Sequence, residues 1–217
     1  MNERTRGLGV VQGQEVVQGP AVLGGLGAGT GDLLERLRDR LAVEAEGEGL
    51  VEVAWRTTDS PVGTLLLAAT ERGLVRVAFA NEDGDEVLAV LARRLGPRVV
   101  RAPRRLERAV VELEEYFAGR RQGFDLPLDL SLSTVFRRRV QQQLARIGYG
   151  RTATYAEVAA AVENPGAVRA VGSACATNPI PIVLPCHRVL RTDGALGGYR
   201  GGADVKKVLL DLERGAA

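Results

Sequence analysis

Apolar positions change period several times along the 217 residues, and each change marks an element. From Asp32, a residue suited to cap a helix, Leu33, Leu34, Leu37 and Leu41 recur at helical spacing until Gly47 and Gly49, which predicts a helix over 32–46. Residues 51–56, 63–69 and 74–79 are short β-prone runs separated by Asp-Ser-Pro and Glu-Arg-Gly turns. They predict an antiparallel meander. Val87, Leu88, Leu91 and Leu95 then mark one helix, and Leu106, Val110, Leu113 and Phe117 a second that ends at Gly119. Residues 124–130 contain Pro127 and read as an extended connector, because proline suits neither a helix interior nor a central strand.

The second half is mostly helical. Phe136, Val140, Leu144 and Ile147 form an apolar stripe closed by Gly148-Tyr149-Gly150. Thr154 opens a helix with Val158, Ala159 and Val162 on one face, Asn164-Pro165-Gly166 makes a tight turn, and residues 167–176 form another short helix. Helix, glycine-bearing turn, helix is the helix-turn-helix layout, although many helical hairpins share it. The expected fold class is α/β. A flexible extension (1–49) that includes the 32–46 helix precedes a small N-terminal domain with a short antiparallel sheet plus helices (50–130). A mostly α C-terminal domain with the helix-turn-helix (131–217) follows.

Composition narrows this little: 45% hydrophobic and 26% charged residues describe an ordinary globular chain, and the net charge of +2 permits nucleic-acid binding without indicating it. Any basic face must be local. Nothing near Met1 reads as a signal peptide and no apolar run is long enough to span a bilayer, so no membrane partner and a cytoplasmic setting are expected. Two cysteines and one histidine are too few for a disulfide framework or a standard zinc site. No metal and no other cofactor is expected.

The informative stretch is Asn178-Pro-Ile-Pro-Ile-Val-Leu-Pro-Cys186-His187-Arg188-Val189, followed by a glycine-rich loop through Gly202. A cysteine needs a base or a positive environment to react near neutrality, since its ordinary pKa of about 8.5 leaves little thiolate. His187, adjacent and the sole histidine, is the candidate. On the pair alone, a buried core thiol beside a capped surface histidine is the favoured reading, and only the wider pattern overturns it.

The whole pattern resembles the O6-alkylguanine-DNA alkyltransferases, also called methylated-DNA:protein-cysteine methyltransferases, across residues 50–217. Pro185-Cys186-His187-Arg188-Val189 matches the family's active-site signature, and Asn178-Pro179-Ile180-Pro181-Ile182 matches the segment leading into it. Distant matches are Asp59-Ser60-Pro61-Val62-Gly63, Glu115-Tyr116-Phe117-Ala118-Gly119 and Phe124-Asp125-Leu126-Pro127-Leu128. The resemblance implies that Cys186 accepts an alkyl group irreversibly from O6 of guanine, once per molecule. It implies that His187 relays the thiol proton through a water, that Glu213 orients the histidine and that Asn178 braces the cysteine turn.

The implied partner is double-stranded DNA with an alkylated guanine, bound through its minor groove by a monomer, with the damaged base flipped out. Arg169 matches the arginine that fills the gap left by the base. Tyr155 matches the tyrosine that turns the phosphate and donates a proton toward the leaving guanine. Ala170, Gly172 and Ser173 are small enough to let the helix lie close, Asn164 and Thr192 match backbone-contacting positions, and Tyr155, Val189, Tyr199 and Arg200 are the implied pocket residues. Two positions depart from the family: Val140-Gln141 stands where Val-Trp is common, and Ile147-Gly148 where Ile-Pro is. Both concern packing. Arg137, Arg138 and Arg139 form a basic run suited either to phosphates or to a solvated face, and Cys175 reads as a buried small hydrophobe. The competing readings are a non-catalytic alkyltransferase-like lesion binder, a helix-turn-helix regulator and a cysteine peptidase. The acceptor cysteine counts against the first. Side-by-side Cys and His count against the last.

Overall fold

The structure, a computed structural model, describes residues 27–215. The chain divides into two units between Arg36 and Leu37. The first contributes the opening turns of helix α1 (Gly27–Gly47), and the second, taken by itself below, contains everything from Leu37 onward. Residues 1–26 of the expected extension lie outside the described residues, and the helix begins at Gly27 rather than Asp32. Each leading glycine costs a helix only about 1 kcal/mol relative to alanine, while every added residue gains a hydrogen bond. Leu37 and Leu41, which set the helical period, are 46% and 64% exposed. Ala42 is the residue that docks, against Val51, Ala54 and Ala102.

Strands β1 (Val53–Thr58), β2 (Leu65–Thr70) and β3 (Gly73–Ala78) form the meander, and β4 (Val99–Arg101) adds to β1 in parallel, giving the order β3-β2-β1-β4. Three residues after a proline show no periodicity, which is why β4 was not legible. Leu65, Leu67 and Val77 pack on Leu106, Val110, Leu113 and Tyr116, the last three from helix α3 (Glu107–Phe117). Val53, Ala68 and Val75 on the other face pack on Leu91 of helix α2 (Gly84–Leu95), whose first turn is capped by Asp83. Covered on both faces, β2 reads as an unbroken apolar run from Leu65 to Ala69.

The exposed edge of β3 is used to seat the rest of the chain. Leu74 N–H donates to the Pro127 carbonyl (2.8 Å) and Asp129 N–H to the Leu74 carbonyl (2.9 Å), so the proline connector covers one end of that edge. Val77 N–H donates to the Pro179 carbonyl at 2.8 Å, so the other end holds the segment that leads to Cys186.

Helices α4 (Val135–Leu144), α5 (Tyr155–Ala161) and α6 (Val168–Ala176) share a second core of Val140, Leu144, Val158, Ala159, Val162, Val171 and Ala174. Thr154 and Glu157 form a reciprocal capping box at the start of α5. Gln141 is fully buried where the family commonly has an aromatic residue; its Nε2 donates to Ser133 Oγ at 2.8 Å, while its Oε1 has no partner among the described residues. Two-residue strands β5 (Ala153–Thr154) and β6 (Val189–Leu190) pair in parallel. They tie the base of α5 to the residue after the Cys186 turn. Helix α7 (Ala203–Gly215) closes the chain, burying Lys206, Leu209, Leu210 and Glu213.

Candidate active site

The segment around Cys186 lies between the two cores. Ile180, Ile182 and Leu184 belong to the sheet core, whereas Cys186 and Val189 belong to the helical one. Asn178 holds the turn from both ends: its Oδ1 accepts from Ile180 N–H (3.1 Å) and its Nδ2 donates to the Leu184 carbonyl (2.8 Å). The turn is strained. Ile182 has φ 72°, a region that a β-branched side chain rarely enters and that costs of order 1–3 kcal/mol. Full burial of Ile182 and the Asn178 bonds keep it there.

The chain then makes one tight helical turn at Cys186–Arg188. Asn178 Nδ2 also donates to Cys186 Sγ at 3.3 Å, and the thiol is 3% exposed. Burial pushes the thiol above its ordinary range, while the Asn178 hydrogen bond and the charge of Lys206 pull the other way. The thiol is protonated at rest.

His187 and Arg188 converge on Glu213 of α7. His187 Nε2 lies 2.8 Å from Glu213 Oε1, and the Arg188 guanidinium donates from Nε to Oε2 (2.8 Å) and from Nη2 to Oε1 (2.8 Å). Tyr116 Oη of α3 donates to Oε1 at 2.7 Å, and Gly150 N–H to Oε2 at 3.1 Å. Burial alone would raise the Glu213 carboxyl, but hydrogen bonds and charge from His187 and Arg188 hold it at about 2. A carboxylate can only accept. Nε2 of His187 must therefore carry the proton, and burial lowers the His187 pKa, so the ring is neutral with Nδ1 as its unprotonated nitrogen. That Nδ1 is buried and has no hydrogen-bond partner among the described residues.

Arg188 and Tyr116 fall inside matched motifs but carried no assigned role, and Lys206 was not singled out from the sequence. Arg188 also donates to the Ile147 carbonyl and lies 5.8 Å over the Tyr149 ring. Lys206, fully buried, donates to the Val189 carbonyl at 2.7 Å and to that of Leu196, linking β6 to the glycine-rich loop. A signal existed for two charges: Lys206, Leu209, Leu210 and Glu213 share one face of α7, and charges on an apolar stripe require buried partners.

Tyr199 stands edge-on to His187, with ring centroids 6.3 Å apart, and against Phe79 at 5.5 Å. Its buried Oη has no partner among the described residues. Burial raises its pKa, with Cys186 a further contributor. Half-buried Tyr155 closes on Gly197, whose φ is 65° and where a Cβ would sit 2.9 Å from the tyrosine Oη. Val189 is buried in β6. Arg200, read as a pocket residue, bonds Glu82 Oε2 (2.9 Å) and the Ala176 carbonyl (3.3 Å), pinning the glycine-rich loop to the segment after β3. Cys175 is buried in the helical core, and burial raises its thiol further from reactivity.

The remaining residues lie outside this network. Arg169, Ala170 and Ser173 occupy the exposed face of α6, Gly172 is half-buried there, and Asn164 and Thr192 are exposed in turns. Arg169 has no hydrogen-bond or ion-pair partner among the described residues.

Comparison with known proteins bears on this arrangement. Residues 40–130 match the ribonuclease-like domain, and residues 135–215 the DNA binding domain, of the family described as 6-O-methylguanine DNA methyltransferase. The methylated-DNA–protein-cysteine methyltransferase of Mycolicibacterium paratuberculosis is 43% identical over 162 residues, which cover 75% of this chain and 93% of that protein. The chain belongs to this methyltransferase family. The inducible methyltransferase of Bacillus subtilis is 40% identical, over 70% of this chain and 84% of its own. Among solved structures, a Mycobacterium tuberculosis methyltransferase of the family, OGT in complex with DNA, superposes with a TM-score of 0.67 at 40% identity, covering 76% of this chain and 94% of that one. The methyltransferase fold thus spans both halves of the described chain.

Proposed function

We propose that this methyltransferase repairs DNA by direct reversal, transferring an alkyl group from O6 of guanine to Cys186. The observation that carries the reading is the buried line Asn178, Cys186, His187, Glu213: a thiol held by an amide beside a neutral imidazole whose tautomer a carboxylate fixes. His187 Nδ1 takes the thiol proton through a bound water. The thiolate sulfur attacks the alkyl carbon, the carbon–O6 bond breaks, and its electron pair leaves with the guanine, which gains a proton from Tyr155. Because the product thioether offers water no good leaving group, each molecule acts once.

The partner on this reading is alkylated duplex DNA. The exposed face of α6 meets the minor groove, and Arg169 fills the space of the flipped nucleotide. Asn164 and Thr192 contact the backbone. Tyr155, Val189 and Tyr199 surround the flipped base once Tyr155 parts from Gly197. The working unit is a monomer of two domains, 50–130 and 131–217, without a cofactor. No helix among the described residues is long and apolar enough to cross a membrane, and we infer a cytoplasmic setting.

Intact-protein mass spectrometry after one equivalent of O6-methylguanine DNA tests the reading. One methyl mass is expected, mapped to Cys186 and not Cys175, with no further turnover in excess substrate. Cys186→Ser should bind lesion DNA yet transfer nothing; a methyl on Cys175, or multiple turnovers, would overturn the mechanism.

A further inference from the structure

The chain's charge is segregated. Residues 131–192 hold eight arginines and two glutamates, without lysine or aspartate, a net +6 in a chain whose total is +2. Helix α4 carries three arginines and three glutamines in its 10 residues and no acid. Its basic run does not act as one unit. Arg138 folds back onto the carbonyls of Leu130 (3.1 Å) and Ser133 (2.9 Å), whereas Arg139 reaches across to the Val162 carbonyl (2.9 Å) at the end of α5.

Arg139, Gln142, Gln143 and Arg146 recur at the spacing of one helix face. With Val162 and Glu163 they line a groove of about 220 Å³. The side chains of Gln142, Gln143 and Arg146 have no partner among the described residues. The acid in the groove is Glu163, 3.9 Å from Arg139 with its side chain 89% exposed. A solvated pair of this kind contributes only about 0–1 kcal/mol, too little to hold the arginine against a phosphate.

We propose that this groove is a second strip of phosphate contacts for duplex DNA, flanking the face of α6. The inference rests on the reading that α6 meets the duplex. Guanidinium and carboxamide groups offer donors alone or with one acceptor, which suits phosphate oxygens. The chain continues from the groove through Glu163, at φ 59°, directly into Asn164 and the turn that starts α6. The strip and Arg169 therefore stand on either side of one turn, on helices that share a core. Phosphate contacts add affinity and fix register without reading sequence, so the strip supplies hold rather than lesion choice.

The test is equilibrium binding of an undamaged duplex as a function of salt, for the wild type, Arg146→Gln, Arg139→Gln/Arg146→Gln and Arg169→Ala. Arg146 has no partner among the described residues, so its single variant reports on the strip even if loss of the Arg139 bond destabilises the double variant. The slope of log K against log salt is expected to shrink by about one for each phosphate contact removed. The same shrinkage should appear with lesion and lesion-free DNA. A wild-type slope retained in both Arg146 variants, while Arg169→Ala lowers it, overturns the strip and leaves the α6 reading standing. A wild type without salt-dependent duplex binding would overturn both.

Discussion

Helices α6 and α7 are both short and both carry polar residues among apolar ones, yet they use them in opposite ways. The polar groups of α6, Arg169 and Ser173, face outward, and Arg169 has no partner among the described residues. On α7, Lys206 and Glu213 instead face inward and are bonded to several elements each, while Asp204, Lys207, Asp211 and Arg214 stay exposed. A free outward cation adds little to folding and suits a partner that arrives later; a buried ion must be satisfied before the chain is stable. On the proposed reading, recognition and reaction are thus separated by burial, and substitutions on the two helices should fail in different assays.

The largest expected effect comes from the inward helix. Glu213→Gln leaves the Arg188 charge buried without a counter-ion, which should cost roughly 3–5 kcal/mol of stability in urea unfolding. It also removes the group that fixes the His187 tautomer. Transfer from free O6-benzylguanine should slow by about a hundredfold or more even under conditions where the variant is fully folded. A wild-type rate in folded Glu213→Gln would reduce the carboxylate to a structural anchor.

The same residue gives a pH signature. Its carboxyl titrates near 4.5 in an unfolded chain and at about 2 in the fold, so as pH falls the unfolded state takes the proton first. The contribution of Glu213, on the order of 3 kcal/mol, is complete above pH 4.5 and is lost on acidification toward 2. His187, lowered from 6.5, adds a loss of the same sign just below that value. Melting temperature should therefore fall steadily with acid in the wild type and more shallowly in Glu213→Gln over the lower range; parallel curves would contradict the pairing.

The outward helix should give a smaller and more selective effect. Arg169→Ala should leave stability within about 0.5 kcal/mol of wild type, because the side chain is exposed and has no hydrogen-bond or ion-pair partner among the described residues. Repair of duplex DNA should slow roughly tenfold to a hundredfold, a fraction of the few kcal/mol that unstacking a base requires. Reaction with the free base needs no flipping and should slow far less. Equal slowing of both would remove the gap-filling role.

What was legible in the sequence follows the range of the interactions. Periodicity indicated the meander, α2 to α6 and the turn between α5 and α6, since a helix or hairpin is a local pattern. It missed β4 and the β5–β6 pair, whose two or three residues are strands only because a distant segment pairs with them. At the site, Cys186, His187, Glu213 and Asn178 came from motifs. Tyr116 lies 97 residues from Glu213, and nothing local could announce that bond. The leucines of α1 gave the helical period, but not the residue that docks, which is Ala42.

The last expected effect is small and turns on an atom without a partner. Tyr199 Oη is buried beside His187 and bonded to nothing among the described residues. An unsatisfied buried hydroxyl costs about 1–3 kcal/mol, part of which phenylalanine recovers by removing the polar group and keeping the ring. Tyr199→Phe should therefore raise stability by about 1 kcal/mol, read as a higher urea midpoint at unchanged slope. If the hydroxyl is kept for the flipped guanine, the same variant should lose transfer rate by a few-fold while gaining stability. The opposing signs are the test. A variant that loses stability would mean the hydroxyl is bonded within the resting fold, and a rate unchanged with both DNA and free base would leave the ring, not the hydroxyl, as what the site uses.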